Sequence, residues 1–222
     1  MRSRFRPGPV WLVVLLAVGT GVALRAEPAR WEQETATIAA RSSTQPGGVV
    51  FLGSSSIRMW KSLAADFPER RVLNHGFGGS HLEDSVYFFD RLVRPFAPAV
   101  VVLYAGENDV AAGMKPEKVL ADFQEFRRRL REAAPAARLI FISLKPSPSR
   151  AKFLPEMVRT NALIAAECAI DPRAAFVDVF TPMLDAQGQP RAELFLGDRL
   201  HMNADGYALW TARVRAALPV GP

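Results

Sequence analysis

The sequence predicts an α/β domain: a three-layer, doubly wound fold with a mainly parallel five-stranded sheet. Two observations predict it. Five short apolar runs, rich in β-branched or aromatic residues, recur along the 222-residue chain, and amphipathic stretches separate them. Continuous apolar runs are typical of parallel strands buried on both faces, and repeated strand–helix alternation predicts helices on both sides of the sheet. The predicted strands are Val49–Leu52, Arg71–Leu73, Val100–Tyr104, Leu139–Ser143 and Phe176–Val179.

The clearest predicted helix begins at Pro116, because proline is favoured in the first turn of a helix. Apolar residues then recur at three- and four-residue spacing until Pro135 ends the run. The other predicted helices are Leu82–Val93, Phe153–Ala169 and Asn203–Leu218, the last with Asn203 as a candidate N-cap. In such sheets ligands bind beyond the carboxyl ends of the strands, so functional residues are expected in the loops after the apolar runs.

The first 26 residues predict export. Arg2, Arg4 and Arg6 precede a mostly apolar run, Val10–Leu24, which small residues follow. This arrangement is typical of a secretory signal peptide or an uncleaved signal anchor. The run is shorter than the roughly 20 residues that span a bilayer, which favours cleavage. We therefore expect a periplasmic or extracellular protein, associated with the membrane where the segment is retained.

Residues 27–47 are expected to form a polar, partly helical lead-in, and residues 48–222 the main domain. The formal net charge is +6, but residues 1–26 carry four arginines and no acid, so the remainder carries about +2. That charge, with no basic stripe interleaved with aromatic residues, predicts no nucleic-acid partner. The single cysteine, Cys168, lies in an apolar stretch and is interpreted as a buried core thiol.

A serine-rich turn, Gly53–Ser56, directly follows the first predicted strand. Glycine permits a sharp turn, and a serine on a tight strand-to-helix turn is exposed as a nucleophile. Such turns also serve as N-caps, so this loop alone does not identify a site. After the second strand, Asn74–Ser80 contains three glycines, which let backbone N–H groups approach a ligand. It lacks the lysine of a phosphate-binding P-loop, and a flexible turn is the alternative.

The loops after the third and fifth strands carry an amide, a carboxylate and an imidazole. Gly106–Asp109 includes Asn108, whose side-chain amide can donate to an oxyanion, although an Asx-turn is the alternative. The last loop ends in Asp198–His201, where three-residue spacing can bring a carboxylate to an imidazole and fix its tautomer. Alone, such a pair is more often an ordinary surface contact.

Together and in this order, the four loops resemble the sequence blocks of SGNH (GDSL-like) hydrolases. Gly53–Ser56 resembles block I and Gly79 the glycine of block II. Gly106–Asp109 resembles the Gly-x-Asn-Asp of block III, and Asp198–His201 the Asp-x-x-His of block V. The similarity covers the chain from about Val49 to Leu218.

The resemblance implies the flavodoxin-like SGNH hydrolase fold and a site for acyl transfer. It implies Ser55 as nucleophile, His201 as general base and Asp198 as the carboxylate that orients the imidazole. It also implies an oxyanion hole formed by the backbone N–H groups of Ser55 and Gly79 and the side-chain amide of Asn108.

Two positions depart from the family pattern. Ser54 replaces the aspartate of Gly-Asp-Ser, which leaves the nucleophile open among Ser54, Ser55 and Ser56, and the register favours Ser55. Glu107 replaces the threonine common in Gly-Thr-Asn-Asp. It is interpreted as capping a turn, with a substrate contact as the alternative.

No cofactor or metal ion is expected. His75, His81 and His201 show no regular ligand spacing, so a metal site is disfavoured. Asp178 could compete for His201, although a structural role in its loop is favoured. Lys145–Arg150 is proline-containing and is either a stiffened, substrate-facing loop or a plain connection.

The expected function is an exported serine esterase that hydrolyses short-chain acyl esters, acetyl above all, of a small molecule or glycan. The loops after the strands are short, and only Thr181–Leu200 is long enough to fold over the site. Its apolar residues could instead form an acyl slot: Met183, Leu184, Phe195 and Leu196. The alternatives are a carbohydrate O-deacetylase, a lysophospholipase or thioesterase, and a catalytically degenerate cell-envelope binding module.

Overall fold

A computed structural model describes residues 28–219 of the chain. The predicted signal peptide or anchor, residues 1–26, lies outside the described residues. Within residues 28–219, none of the helices combines the length and apolar character needed to cross a bilayer.

A single five-stranded parallel sheet forms the centre of the domain, which confirms the predicted architecture. Its strand order is β2-β1-β3-β4-β5, a doubly wound arrangement. The strands are β1 Val49–Gly53, β2 Val72–Gly76, β3 Val100–Tyr104, β4 Arg138–Ile142 and β5 Ala174–Val177. Gly53 pairs with Gly76 on one side and with Tyr104 on the other. The loops that follow these three strands therefore meet at one edge of the sheet.

Helices cover both faces of the sheet in two separate layers. They are α1 Glu32–Arg41, α2 Ser55–Arg58, α3 Leu63–Asp66, α4 Leu82–Tyr87, α5 Phe89–Leu92, α6 Glu107–Ala111, α7 Pro116–Ala133, α8 Leu154–Ala169 and α9 Ala204–Ala217. Alternate strand residues point into two apolar clusters, one under α1, α4, α5, α7 and α8 and the other under α2, α3 and α9. Asn203 caps α9 as predicted, its side chain accepting the N–H groups of Asp205 and Gly206. Cys168 is buried in the first cluster, as interpreted from the sequence.

The strand β5 lies two residues earlier than predicted. The N–H groups of Val179 and Phe180 donate to Oγ of Ser143 at 2.9 and 3.0 Å rather than to the sheet. The chain consequently leaves the sheet after Val177.

Two other elements differ from their predicted bounds. The strand β2 continues to Gly76, which places His75 inside the sheet rather than in the following loop. The predicted helix Leu82–Val93 is two helices, because the backbone turns at Phe88, with φ −86° and ψ 12°. The turn allows Phe88 and Phe89, adjacent in sequence, both to be buried.

The lead-in residues 27–47 contain α1, which packs on the sheet. Trp31 is buried, donates from Nε1 to the carbonyl oxygen of Gly78 at 2.8 Å, and stacks edge-on against Phe77. Ile38, two turns further along, belongs to the same apolar cluster as β1. The turn directly before α1 therefore lies against the glycine loop that follows β2.

Two buried carboxylates hold the start of α4. Asp109 accepts the N–H of Leu82 at 3.0 and 3.2 Å, and Asp84 accepts the N–H of His81 at 2.8 Å. Burial raises the pKa of Asp109 to about 7 and that of Asp84 to about 6. These contacts fix the position of the glycine loop, which ends where α4 begins.

The raised pKa of Asp109 predicts that stability falls as pH rises. An aspartate in an unfolded chain titrates near 3.9, so between about pH 4 and 7 the folded state keeps a proton that the unfolded state has released. The stabilisation is complete below about pH 4 and is lost as pH rises through 7, by up to about 4 kcal/mol for a shift of three units. In urea denaturation, Asp109→Asn should therefore lose less unfolding free energy between pH 5 and pH 8 than the unchanged protein.

Asp205→Asn, at an exposed position of α9, is the matched control and should keep the pH dependence of the unchanged protein. Identical pH profiles for Asp109→Asn and the unchanged protein would contradict the prediction.

Candidate active site

The serine-rich turn is built where β1 and β3 come closest. Gly53 has φ +145°, and a Cβ there would lie 1.9 Å from the carbonyl oxygen of Tyr104. Only glycine fits this position. The same carbonyl accepts the N–H of Ser54 at 3.1 Å, and Ser55 then begins α2. The close approach of the two strands therefore places Ser55 at the carboxyl edge of the sheet.

Geometry distinguishes Ser55 from its neighbours. Ser54 and Ser56 are buried, whereas Ser55 is partly exposed. Its Oγ lies 2.9 Å from Nε2 of His201. The hydroxyl of Tyr207 donates to the carbonyl of Ser56 at 2.9 Å, which ties α2 to α9. Ser55, which the register of the family motif favours, is thus the serine whose hydroxyl lies beside an imidazole.

The imidazole of His201 is held from its other side by Asp198. Nδ1 lies 2.6 Å from Oδ2 of Asp198, while Oδ1 accepts the backbone N–H groups of Leu200 and His201, each at 2.9 Å. The hydrogen bond from the imidazole, followed by the two backbone N–H groups, lowers the pKa of Asp198 to about 2. The carboxylate is therefore ionised above that pH. Asp178 instead accepts the N–H of Thr181 at 3.0 Å, the structural role favoured from the sequence.

Backbone contacts fix the loop that carries His201. The carbonyl of His201 accepts the N–H of Leu196 at 2.7 Å, and Phe195 forms an antiparallel bridge with Met202. The carbonyl of Arg199 accepts the N–H of Ser149 at 3.0 Å, from the loop after β4. The imidazole is thus positioned by its own loop and by a neighbouring one.

The residues expected to form the oxyanion hole, Gly79 and Asn108, meet through Ser80. Gly79 has φ +75°, which favours glycine. Nδ2 of Asn108 donates to the carbonyl of Ser80 at 2.9 Å, directly after Gly79. An amide nitrogen carries two N–H groups, so one N–H remains to donate to a ligand.

A buried charge cluster lies behind Asn108. Oε2 of Glu107 accepts hydrogen bonds from Nζ of Lys145 and from the hydroxyl of Tyr104, both at 2.5 Å. Its Oε1 accepts a hydrogen bond from Oγ of Ser147 at 2.9 Å. Burial alone would raise the pKa of Glu107, but the charges of Lys145 and Arg150 lower it below its usual value. Glu107 is thus a buried anion, which differs from both interpretations of the sequence, a turn cap and a substrate contact.

Arg150 connects this cluster to Asn108 and was missed by sequence reasoning. It donates from one nitrogen to Oδ1 of Asn108 at 2.8 Å, and another nitrogen lies 3.3 Å from Oε1 of Glu107. Lys145 and Ser147 are buried, so this half of the loop after β4 faces the protein rather than a substrate. The sequence did contain a signal for it. Lys145 and Arg150 follow the fourth predicted strand, and Glu107, a departure from the family pattern, follows the neighbouring third strand.

The imidazole of His75 is buried and hydrogen-bonded within the core. Its Nδ1 lies 2.7 Å from the carbonyl of Leu92 and its Nε2 2.9 Å from Oγ of Ser42, and burial lowers its pKa to about 4. Both ring nitrogens are therefore engaged. Across residues 28–219, no three His, Cys, Asp or Glu side chains are grouped to hold a metal ion.

The arrangement provides the parts that acyl transfer needs. A hydroxyl, an imidazole and a carboxylate form one chain of hydrogen bonds from Ser55 through His201 to Asp198. A base within 3 Å can take the hydroxyl proton. Asn108, with one side fixed by Arg150, presents a neutral N–H donor close to the same edge.

Solved structures with the same fold are numerous. A Streptococcus pneumonia protein provisionally described as a platelet activating factor is 17% identical, with a TM-score of 0.76 over 87% of this chain and 93% of that chain. A GDSL-like lipase from Bacteroides thetaiotaomicron is 21% identical, with a TM-score of 0.71 over 86% and 96% of the two chains. An acetylxylan esterase from Geobacillus stearothermophilus is 15% identical, with a TM-score of 0.61 over 78% and 94%. At these identities, the similarity shows the fold alone.

A search of curated proteins gave no match. The profile of the GDSL-like Lipase/Acylhydrolase family matches residues 41–209, which include β1 to β5 and every residue of the candidate site. The chain therefore belongs to the GDSL-like lipase/acylhydrolase family and is an ester hydrolase.

Proposed function

We propose that the protein is an exported serine esterase that removes short acyl groups, acetyl above all, from small-molecule or glycan esters. The observation that carries the chemistry is the chain of hydrogen bonds from Ser55 through His201 to Asp198. An intact chain of this kind argues against a degenerate binding module. Export is supported by the arginine-flanked apolar run near the N-terminus.

In the proposed reaction, Oγ of Ser55 attacks the acyl carbonyl carbon while Nε2 of His201 takes the hydroxyl proton. The resulting oxyanion is stabilised by the free N–H of Asn108 and the backbone N–H groups of Ser55 and Gly79. The carbonyl reforms, the bond to the alcohol breaks, and His201 returns the proton to the departing oxygen. Water, deprotonated by His201, then attacks the acyl carbon. The bond to Oγ of Ser55 breaks as His201 returns the proton to that oxygen, which releases the carboxylic acid and regenerates Ser55.

The segment 181–200 supports a short acyl group. Met183, Leu194 and Phe195 are buried in the apolar cluster under α9, Leu184 is half-buried, and Leu196 is exposed. The side chain of Asp198 is 48% exposed, so the rim of the site is open to solvent. The acetylxylan esterase with the same fold gives an example of acetyl removal from a glycan.

The nucleophile is testable with a fluorophosphonate probe, which labels activated serines. Ser55→Ala should abolish labelling and ester hydrolysis while the circular dichroism spectrum stays unchanged, because Oγ of Ser55 is the hydroxyl bonded to His201. Ser54→Ala and Ser56→Ala are the matched controls and should still be labelled. Undiminished labelling of Ser55→Ala would show that another serine reacts.

Acyl-chain preference follows from the open site. Each buried CH₂ contributes roughly 0.8 kcal/mol, and a shallow site buries few of them. The value of kcat/KM should therefore be highest for p-nitrophenyl acetate to butyrate and should fall towards the twelve-carbon ester. A steady rise towards long chains would instead favour a lysophospholipase or thioesterase.

Arg150 should affect turnover by positioning Asn108. Losing one oxyanion donor costs about 10²–10³ in kcat, and loosening one should cost less. We expect Arg150→Met to lower kcat on the order of tenfold or more with KM little changed, and Arg150→Lys or added guanidinium to restore part of it.

A double-mutant cycle provides the control for Arg150. If Arg150 acts through Asn108, then Arg150→Met should have little further effect in an Asn108→Ala background. A raised KM with unchanged kcat would contradict the positioning role and indicate direct contact with substrate.

A further inference from the structure

A cleft of about 540 Å³ lies between α1, α2 and the end of β2. Its lining contains four cationic side chains, Arg30, Arg41, Arg58 and Lys61, and one carboxylate, Glu34. The four cations are exposed to solvent. Arg58 lies 3.7 Å from Glu34, and within residues 28–219 the other three cations form no ion pair. The cleft is therefore strongly positive in a domain whose overall charge is modest.

The cleft reaches the glycine loop of the candidate site. The guanidinium of Arg30 would lie 3.4 Å from a Cβ at Gly79, and that of Arg58 would lie 2.6 Å from a Cβ at Gly78. Arg58 also closes the short helix that Ser55 begins. The two guanidinium groups thus flank the loop whose Gly79 is expected to bind the oxyanion.

Arg30 is held in place by its neighbour. Its guanidinium lies over the ring of Trp31, 4.8 Å from the centroid, and Trp31 is fixed by its bond to the carbonyl of Gly78. The position of Arg30 is therefore fixed relative to the glycine loop.

The segment that completes the cleft lies outside the part of the chain that the family profile matches. That match begins at residue 41, whereas Arg30 and nearly all of α1 precede it. Arg30 therefore precedes the match, whereas Arg41, Arg58 and Lys61 lie within it.

We propose that this cleft binds a phosphate or carboxylate group carried by the alcohol part of the ester. The inference rests on the proposed function. Because the acyl group there is short, an anion near Arg30 and Arg58 belongs to the leaving group. Guanidinium groups pair with phosphate and carboxylate through parallel hydrogen bonds, and a cleft lined by one sign of charge concentrates the opposite sign.

The kinetic test compares three acetate esters: 3-acetoxybenzamide, 3-acetoxybenzoate and 3-acetoxyphenyl phosphate. At low ionic strength, kcat/KM should be on the order of tenfold higher for the anionic esters, and the preference should shrink in 0.5 M salt. The phosphate and carboxylate arms show which anion is preferred. Arg30→Gln and Arg58→Gln should each reduce the anionic-to-neutral ratio severalfold, while Arg213→Gln, an exposed position of α9, should leave it unchanged.

A binding test separates the anion site from the chemistry. Phenyl phosphate should bind the Ser55→Ala protein in calorimetry, and adding Arg30→Gln or Arg58→Gln should weaken that binding severalfold. Equal rates for the three esters, a ratio unaffected by either arginine variant, or binding that neither variant weakens would overturn the anion site. Failure to hydrolyse any of the three esters would instead contradict the proposed esterase, with the binding result still deciding the anion site.

Discussion

The buried ion pair between Glu107 and Lys145 is the interaction on which the candidate site depends. Their side chains are 4% and 1% exposed, and removing two charges from water costs several kcal/mol per ion. The hydroxyls of Tyr104 and Ser147 also donate hydrogen bonds to Glu107, which offsets part of that cost. Removing one partner of such a pair typically costs 3–5 kcal/mol, because the other charge stays buried. The pair therefore joins the loops after β3 and β4 in one arrangement.

From this pair, contacts extend to the other loops at the same edge. Arg150 contacts both Glu107 and Asn108, and Asn108 donates to the carbonyl of Ser80 in the glycine loop. The neighbouring Ser149 donates to the carbonyl of Arg199, in the loop that carries the imidazole. Four loops far apart in sequence are thereby held as one unit. A displacement of the loop after β4 would move both Asn108 and His201, the proposed oxyanion donor and base.

Local sequence patterns predicted the sheet, its helices and the loops that carry Ser55, Asn108 and His201, because strand periodicity and motif spacing are local properties. The function of Glu107 could not be predicted in the same way. Its partner Lys145 lies 38 residues away, and a single sequence does not show which charges pair in the core. Likewise, the polar composition of residues 27–47 gave no indication that Trp31 packs on the glycine loop.

Two carboxylates near the site lie in different dielectric surroundings, and this difference separates the roles we propose for them. Asp198 is half-exposed, so water screens its attraction to a protonated imidazole. Its bonds to two backbone N–H groups hold the carboxylate in place, and its bond to Nδ1 sets the direction of the imidazole and favours the tautomer protonated at Nδ1. Glu107 is shielded from water, where charges interact strongly. Glu107 holds Arg150 in place, and the positive guanidinium of Arg150 on Oδ1 of Asn108 polarises the amide so that Nδ2 becomes a better donor. In the proposed reaction, the exposed carboxylate orients the base, and the buried one positions the oxyanion donor through Arg150.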